Sequence, residues 1–279
     1  MKPEELNTRD RIVWCPGCGN YGILAALKNA IIQLGLNKEE IVLVSGIGCS
    51  SQMPHFINTY GIHSIHGRPL PVATGVRLAN TDLKVIAVGG DGDGYGIGGG
   101  HFIHTMRRNL NITYIVCDNK IYGLTTGQAS PTSDRGFKTK SSPEGVIEQP
   151  VNPIALAITM GATYVARGFA GDVSHLTKLI ADGIKHKGTA FIDVLQPCVT
   201  FNHVNTYEFY NKRVYKLTKH NTGNKFAALK KAFEDKKIPI GLFYKEERQT
   251  YEDELKLEAP LAKQDINNIN INDLMDSLM

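Results

Sequence analysis

Four of the five cysteines stand in settings that suit thiolate chemistry: Cys15 and Cys18 in Trp-Cys-Pro-Gly-Cys-Gly, Cys49 in Gly-Ile-Gly-Cys-Ser-Ser, and Cys198 in Gln-Pro-Cys-Val. One Cys-x-x-Cys pair with two distant cysteines supplies four thiolates, the donor set taken by Zn²⁺ or by an iron–sulfur cluster. Spacing leaves both open, although a structural zinc site more often has a second local pair. Cys117 ends an apolar run and reads as a small buried hydrophobe. A second group offers oxygen: Asp91 in Gly89-Gly90-Asp91-Gly92-Asp93-Gly94, and Asn119 after Asp118. A hard cation such as Mg²⁺ takes oxygen ligands at about 2.0–2.1 Å from a carboxylate or two, carbonyls, water and phosphate. Asp91 supplies the carboxylate and Asn119 an amide oxygen, while Gly90 and Gly92 let the backbone approach a diphosphate. A helix starting after that loop would turn free N–H groups to the anion. Gly-Asp-Gly alone is what any turn contains, so the second strand-end motif carries the reading. A soft-metal centre beside a phosphorylated cofactor points to redox chemistry.

The elements that must position these residues follow from periodicity. Apolar runs at Ile41 to Val44, Lys84 to Val88, Ile112 to Cys117, Thr163 to Ala166 and Ala190 to Leu195 fit buried parallel strands. Helical spacing marks Asn20 to Leu36, Pro71 to Asn80, Gly98 to Asn109, Pro153 to Met160 and Val173 to His186. This alternation predicts an α/β fold with a doubly wound, mostly parallel sheet, which binds ligands beyond the carboxyl ends of its strands. Gly46–Cys49, Gly89–Asp91, Asp118–Asn119 and Gln196–Cys198 each follow a strand, so four strand ends aim chemistry at one sheet edge.

Residues 1–215 are expected to form the working domain and 216–279 a peripheral, partly helical tail. Phe226 to Phe233 is amphipathic, and the last fifteen or so residues are polar enough to lack order. Lys120 to Val151, rich in Gly, Ser, Thr and Pro, is long for a compact domain and reads as a closing or docking loop.

The 279 residues, 42% hydrophobic and 21% charged, can bury a full core. A net charge of +4, with scattered basic residues, gives no nucleic-acid footprint. No run approaches the roughly 18 apolar residues of a membrane span, and the N-terminus lacks the apolar core of a signal peptide. The expected compartment is the cytoplasm, where thiol chemistry is favoured over a disulfide framework.

At this point the motifs identify a family. Asp91–Gly100 and Asp118–Gly123 resemble the metal-binding motif of thiamine diphosphate enzymes. Together with Trp14–Gly19, Gly46–Ser51, His66-Gly67-Arg68, Asp118–Thr125, Pro197–Thr200 and Asn205–Tyr207, they resemble the β subunit of the 2-oxoacid:ferredoxin oxidoreductases over about residues 10–215. The resemblance implies the diphosphate-binding half of the thiamine diphosphate fold, with Mg²⁺ on Asp91, Asn119 and the carbonyl of Ile121, and a [4Fe–4S] cluster on Cys15, Cys18, Cys49 and Cys198. It implies that Ile47, Gly48, Ser50, His66, Gly67, Arg68, Gly90, Asp91, Gly92, Asp93, Asn119, Ile121, Tyr122, Gly123, Leu124 and Thr125 surround the cofactor, with His66 the candidate for catalytic contact. By themselves His66 and Arg68 also fit an ordinary polar turn, and Asp93 reads as a solvated turn carboxylate. His101 and His104 fit a packed helix face better than a metal pair.

The implied reaction is the coenzyme A-dependent oxidative decarboxylation of a 2-oxoacid, 2-oxoglutarate or a broader range, to acyl-CoA and CO₂, with electrons passing to ferredoxin. The implied partners are ferredoxin and a separate α subunit. Gln52 and Thr126 stand where relatives often carry a cation or, at the second, glycine, which weakens the case for a dicarboxylate substrate. A non-redox thiamine diphosphate-dependent decarboxylase with a structural Cys₄ site is the alternative. A cluster-holding scaffold without the cofactor is a third reading, against which Asp91 and Asn119 stand.

Overall fold

A computed structural model of the chain describes residues 2–256, 260–265 and 270–278. Its strands are β1 (Ile41–Ser45), β2 (Tyr60–His63), β3 (Lys84–Gly90), β4 (Ile112–Asp118), β5 (Tyr164–Phe169), β6 (Ala190–Leu195), β7 (Val214–Lys216) and β8 (Ile238–Lys245). They form one sheet in the order β2-β1-β3-β4-β6-β5-β8-β7. Every pairing from β2 across to β5 is parallel, β8 runs antiparallel to β5, and β7 is parallel to β8. The chain winds outward in opposite directions from β1 and β3, so the crevice at their carboxyl ends is the topological switch point where such sheets bind ligands.

The helices are α1 (Asn20–Gln33), α2 (Pro69–Ala79), α3 (Gly99–Arg108), α4 (Pro153–Met160), α5 (Val173–Lys185), α6 (Tyr207–Arg213), α7 (Lys225–Ala232), α8 (Tyr251–Glu254) and α9 (Ile271–Asp276). α1 and α5 cover one face, while α2, α3, α4 and α7 pack in a row on the other. Successive strand side chains alternate between two cores, as the pleat requires. Ile86, Val88, Ile115 and Cys117 join the α1/α5 side, and Val85, Ala87, Tyr114 and Val116 join the α2/α3/α4/α7 side. Side-chain caps start the later helices: Asn152 Oδ1 accepts from Ala155 N at 3.1 Å and Asp172 Oδ1 from His175 N at 3.1 Å. No helix among the described residues is long and apolar enough to cross a membrane.

The doubly wound reading is found, with the five expected strands and five expected helices in place to within a few residues. The peripheral tail is corrected. β8 extends the sheet and places Phe243 and Tyr244 in the core, and Glu252 forms a buried ion pair with Arg77 at 2.6 Å. Residues from β8 to Glu252 are therefore part of the domain. Of the polar end, 270–278 include the short helix α9, whereas 266–269 and 279 lie outside the described residues.

Candidate active site

A cavity of about 320 Å³ opens at the carboxyl ends of β1, β3 and β4. It is lined by Ile47, Gly48, Cys49 and Ser50 after β1, His66 after β2, Gly90–Asp93 after β3, and Asn119 with Ile121–Thr125 after β4. The residues expected around the cofactor thus line one cavity, apart from Gly67 and Arg68, which lie beside it, while of the four cysteines only Cys49 is on its wall. The Arg68 guanidinium turns to the carbonyls of Gly67 and Ile97 at 3.2 and 3.4 Å. His101 and His104 lie on α3, and neither they nor Gln52 and Thr126 line the cavity.

Asp91 is 2% exposed, and its Oδ2 accepts hydroxyl hydrogen bonds from Ser130 and from Thr132, the latter at 2.6 Å. Thr132 Oγ1 also stands 2.7 Å from Asp118 Oδ1. Burial first, and the Asp118 charge second, push the Asp91 carboxyl up to about 7, against the pull of both hydroxyls and the Gly92 N–H. A buried carboxylate held this way lacks a counter-charge, and a divalent cation in the cavity would supply one. Neutral oxygen donors line the same cavity. The Asn119 side chain folds into a turn, its Oδ1 accepting from Ile121 N at 3.0 Å, while Asn202 donates to the Asn119 carbonyl at 3.0 Å. One carboxylate, one amide oxygen and a carbonyl fit Mg²⁺. Tyr122 closes this corner by donating to the Gly92 carbonyl at 3.0 Å, and a Cβ at residue 92 would meet its ring at 2.2 Å.

Asp93 is not a solvated turn residue. It is 2% exposed, and its Oδ1 accepts from Ile47 N at 2.9 Å, Gly67 N at 2.7 Å and His66 Nδ1 at 2.9 Å. The carboxylate enters because Gly46 leaves room: a Cβ there would lie 2.0 Å from Asp93 Oδ2. Burial raises the Asp93 carboxyl above its ordinary range despite these donors. His66 is about one-third exposed, with its ring 6.1 Å from that of Tyr122.

The four cysteines come from three separate stretches of chain. Burial pushes the Cys18 thiol up to about 12, and Cys198, Cys49 and Cys15 each add to that rise. Burial likewise raises Cys49, with Cys198 and Cys15 contributing. Cys15 is exposed and Cys49 and Cys198 half-buried, so the group reaches the surface on the Cys15 side. Gly123 faces it without a side chain: a Cβ there would be 3.6 Å from Cys198 Sγ and 3.9 Å from Cys49 Sγ. Gln196 Nε2 donates to Cys18 Sγ at 3.3 Å, and Trp14 Nε1 to the Cys49 carbonyl at 2.6 Å. Among the described residues no three or more His, Cys, Asp and Glu side chains are disposed around one metal ion. A multi-iron cluster places each thiolate on a different iron and so fits a wider spread. Cys117 lies wholly buried in β4, where burial pushes its thiol well up.

Ser130, Thr132 and Asn202 escaped the sequence reading, and Gln196 entered it only as part of a strand-end motif. The first two sit in the long segment after β4, whose Ser-Pro-Thr-Ser run has no periodicity to mark it. That segment is tied down at its start: Lys120 Nζ donates to Thr132 O at 2.9 Å, and Ser133 Oγ to Lys120 O at 2.6 Å. Its first part is a wall of the site.

Comparison with known proteins agrees with this architecture. Residues 46–194 match the thiamine pyrophosphate enzyme family, at its C-terminal TPP binding domain, and residues 198–258 match the C-terminal family of the pyruvate ferredoxin oxidoreductase beta chain. The chain is 51% identical over 263 residues to the 2-oxoacid:ferredoxin oxidoreductase subunit beta of Saccharolobus solfataricus, covering 88% of this chain and 86% of that one. It is 48% identical over 202 residues to the 2-oxoglutarate oxidoreductase subunit KorB of Mycobacterium tuberculosis, covering 72% and 54%. A solved 2-oxoglutarate:ferredoxin oxidoreductase from Magnetococcus marinus, with 2-oxoglutarate, coenzyme A and succinyl-CoA bound, superposes with a TM-score of 0.94 at 40% identity. That match covers 100% of this chain and 96% of the solved chain.

Proposed function

Since this chain belongs to the β subunits of the 2-oxoacid:ferredoxin oxidoreductases, we propose that its cavity binds the diphosphate end of thiamine diphosphate through Mg²⁺, beside a [4Fe–4S] cluster on Cys15, Cys18, Cys49 and Cys198. The observation that carries the proposal is convergence. Asp91, Asn119 and Ile121 line the same 320 Å³ cavity as Cys49, and Gly123 lies between that cavity and the sulfurs of Cys49 and Cys198. When bound, thiamine diphosphate would supply the electron sink for the carbon that loses CO₂, and the cluster a path on which two electrons leave singly.

The chain's own residues prepare that chemistry. The Asp91 carboxylate, the Asn119 amide oxygen and the Ile121 carbonyl would hold Mg²⁺, with Ser130 and Thr132 keeping Asp91 oriented. Gly90 and Gly92 bring backbone close to the diphosphate, with Ser50 and Thr125 on the same walls. Ile47 and Leu124 add apolar surface to the cavity walls. His66 faces it with a ring able to hold or pass a proton.

In the overall reaction the bond from the oxo carbon to the carboxylate breaks and a bond to the coenzyme A sulfur forms. The thiol proton is released, and two electrons reduce two ferredoxins. The relatives' names support 2-oxoglutarate among the 2-oxoacids as substrate, and an α subunit as the partner that completes the site. The test is the chain co-expressed with its α subunit and purified without oxygen. Asp91→Asn is expected to abolish thiamine diphosphate binding and the reduction of an artificial acceptor that depends on 2-oxoacid and coenzyme A. Cys198→Ala is expected to lose iron and acid-labile sulfide. Full activity in Asp91→Asn would sink the proposal, and zinc without sulfide in the wild type would move it to a non-redox decarboxylase.

A further inference from the structure

We infer that Asp93 is the positioning residue of His66, fixing which ring nitrogen faces the cavity, and that it acts on the reaction through this imidazole without touching cofactor or substrate. The inference rests on the reading of the cavity as the cofactor site. Asp93 Oδ1 takes three contacts, from Ile47 N at 2.9 Å, Gly67 N at 2.7 Å and His66 Nδ1 at 2.9 Å. Amide nitrogens only donate, so this oxygen is an acceptor, and the role left to Nδ1 of His66 is that of donor. The other oxygen, Oδ2, has no hydrogen-bond partner among the described residues and is wedged where Cβ atoms at Gly46 and Gly89 would lie 2.0 and 2.9 Å away. The carboxylate therefore has one possible seat, and the ring it holds has one tautomer.

With the proton on Nδ1, Nε2 is the nitrogen left free for the cavity that His66 lines. A carboxylate on Nδ1 orients an imidazole, selects its tautomer and stabilises the imidazolium that forms when Nε2 takes a proton. Of the other polar groups near the ring, Tyr122 is 6.1 Å away between centroids, Asp91, Cys49, Ser50, Asn119 and Thr125 share the cavity walls, and Arg68 is two residues on. None of these is hydrogen-bonded to the ring, so Asp93 alone sets its orientation among the described residues.

Asp93 also joins three loops through Ile47 and Gly67, and a clamp of that kind would do its work without His66. The experiment must separate the two roles. In the αβ complex without cofactor, ¹⁵N chemical shifts of the His66 ring, assigned by their loss in His66→Gln, are expected to show a protonated Nδ1 and a bare Nε2. In the loaded complex Asp93→Asn, of matching shape, is expected to lower kcat about tenfold or more with KM nearly unchanged. In the His66→Gln background the same substitution is expected to change kcat by less than about twofold, the non-additivity of two residues acting as one unit.

A bare Nδ1 in the wild-type ring would overturn the inference, and so would an equal loss from Asp93→Asn in both backgrounds, which is the behaviour of a loop clamp. Full turnover in His66→Gln would also overturn it while leaving the cofactor reading intact. Failure of the cofactor reading shows itself separately, as full turnover in Asp91→Asn. The wild-type ring measurement makes no use of Asp93→Asn, so poor folding of that variant cannot shield the inference.

Discussion

A single oxygen, Oδ1 of Asp93, joins the loops that follow β1, β2 and β3, and the fit depends on the absence of a side chain at Gly46. Gly46→Ala would drive a methyl group to 2.0 Å from the Asp93 carboxylate. The expected cost is about 2–3 kcal/mol, as for overpacking of a filled interior, measured by chemical denaturation of the purified chain. Thr132→Val removes the hydroxyl that sits 2.6 Å from Asp91 and 2.7 Å from Asp118. It is expected to weaken Mg²⁺-dependent thiamine diphosphate binding about ten- to a hundredfold in a calorimetric titration, the usual effect of losing a group that orients a metal ligand. Residue types and their places after strands made the gathering of Cys49, Asp91 and Asn119 at one sheet edge legible. Asp93 was not legible: nothing within its own turn signals that a glycine 47 positions earlier leaves it a seat.

Among the elements, strands buried on both faces announced themselves as apolar runs, and β1, β3, β4, β5 and β6 were all readable that way. β2 was not, because its four residues are exposed at the sheet edge and carry no apolar pattern. β8 was hidden for another reason: Pro239 and Gly241 interrupt Ile238–Lys245, and both residues argue against a strand in sequence. The elements past residue 215 are nevertheless pinned. Arg77 Nε bonds Glu252 Oε1 at 2.6 Å, both side chains being buried, and the same oxygen accepts from Asn111 N at 3.0 Å. Glu252→Ala would leave the Arg77 guanidinium buried without its counter-charge, at an expected cost of about 3–5 kcal/mol in denaturant unfolding. The end of α5 carries a pH dependence. His186 Nε2 meets Thr163 Oγ1 at 2.8 Å, and burial, aided by Lys245, lowers the ring to about 4. A histidine with a folded pKa below its unfolded value of about 6.5 favours the folded state above pH 6.5, and this contribution is lost as pH falls from 6.5 towards 4. Up to about 3 kcal/mol should disappear across that window, and His186→Gln should flatten the dependence.

At the scale of the whole molecule, the cavity mouth is bordered by large exposed apolar side chains. Ile65 is 72% exposed, Ile97 55% and Leu124 51%. Ile97 packs beside Gly67, and Leu124 lines the cavity itself. Such a rim suits a partner protein that covers the site. Ile97→Lys is expected to leave the thermal stability of the β chain within about 0.5 kcal/mol of wild type while weakening its association with the α subunit in analytical ultracentrifugation. Unchanged association would place the interface elsewhere.

The separation of the cysteines along the chain has a bearing on how the protein is made. Cys15 and Cys18 precede α1, whereas Cys198 follows β6. At a synthesis rate of about 5–20 residues per second, the first two thiols leave the ribosome on the order of ten to forty seconds before Cys198 does. On the proposed function, a cluster held by all four would be completed only once the chain through β6 and Cys198 has emerged. Until then a reducing environment would be what keeps the first two thiols from oxidation.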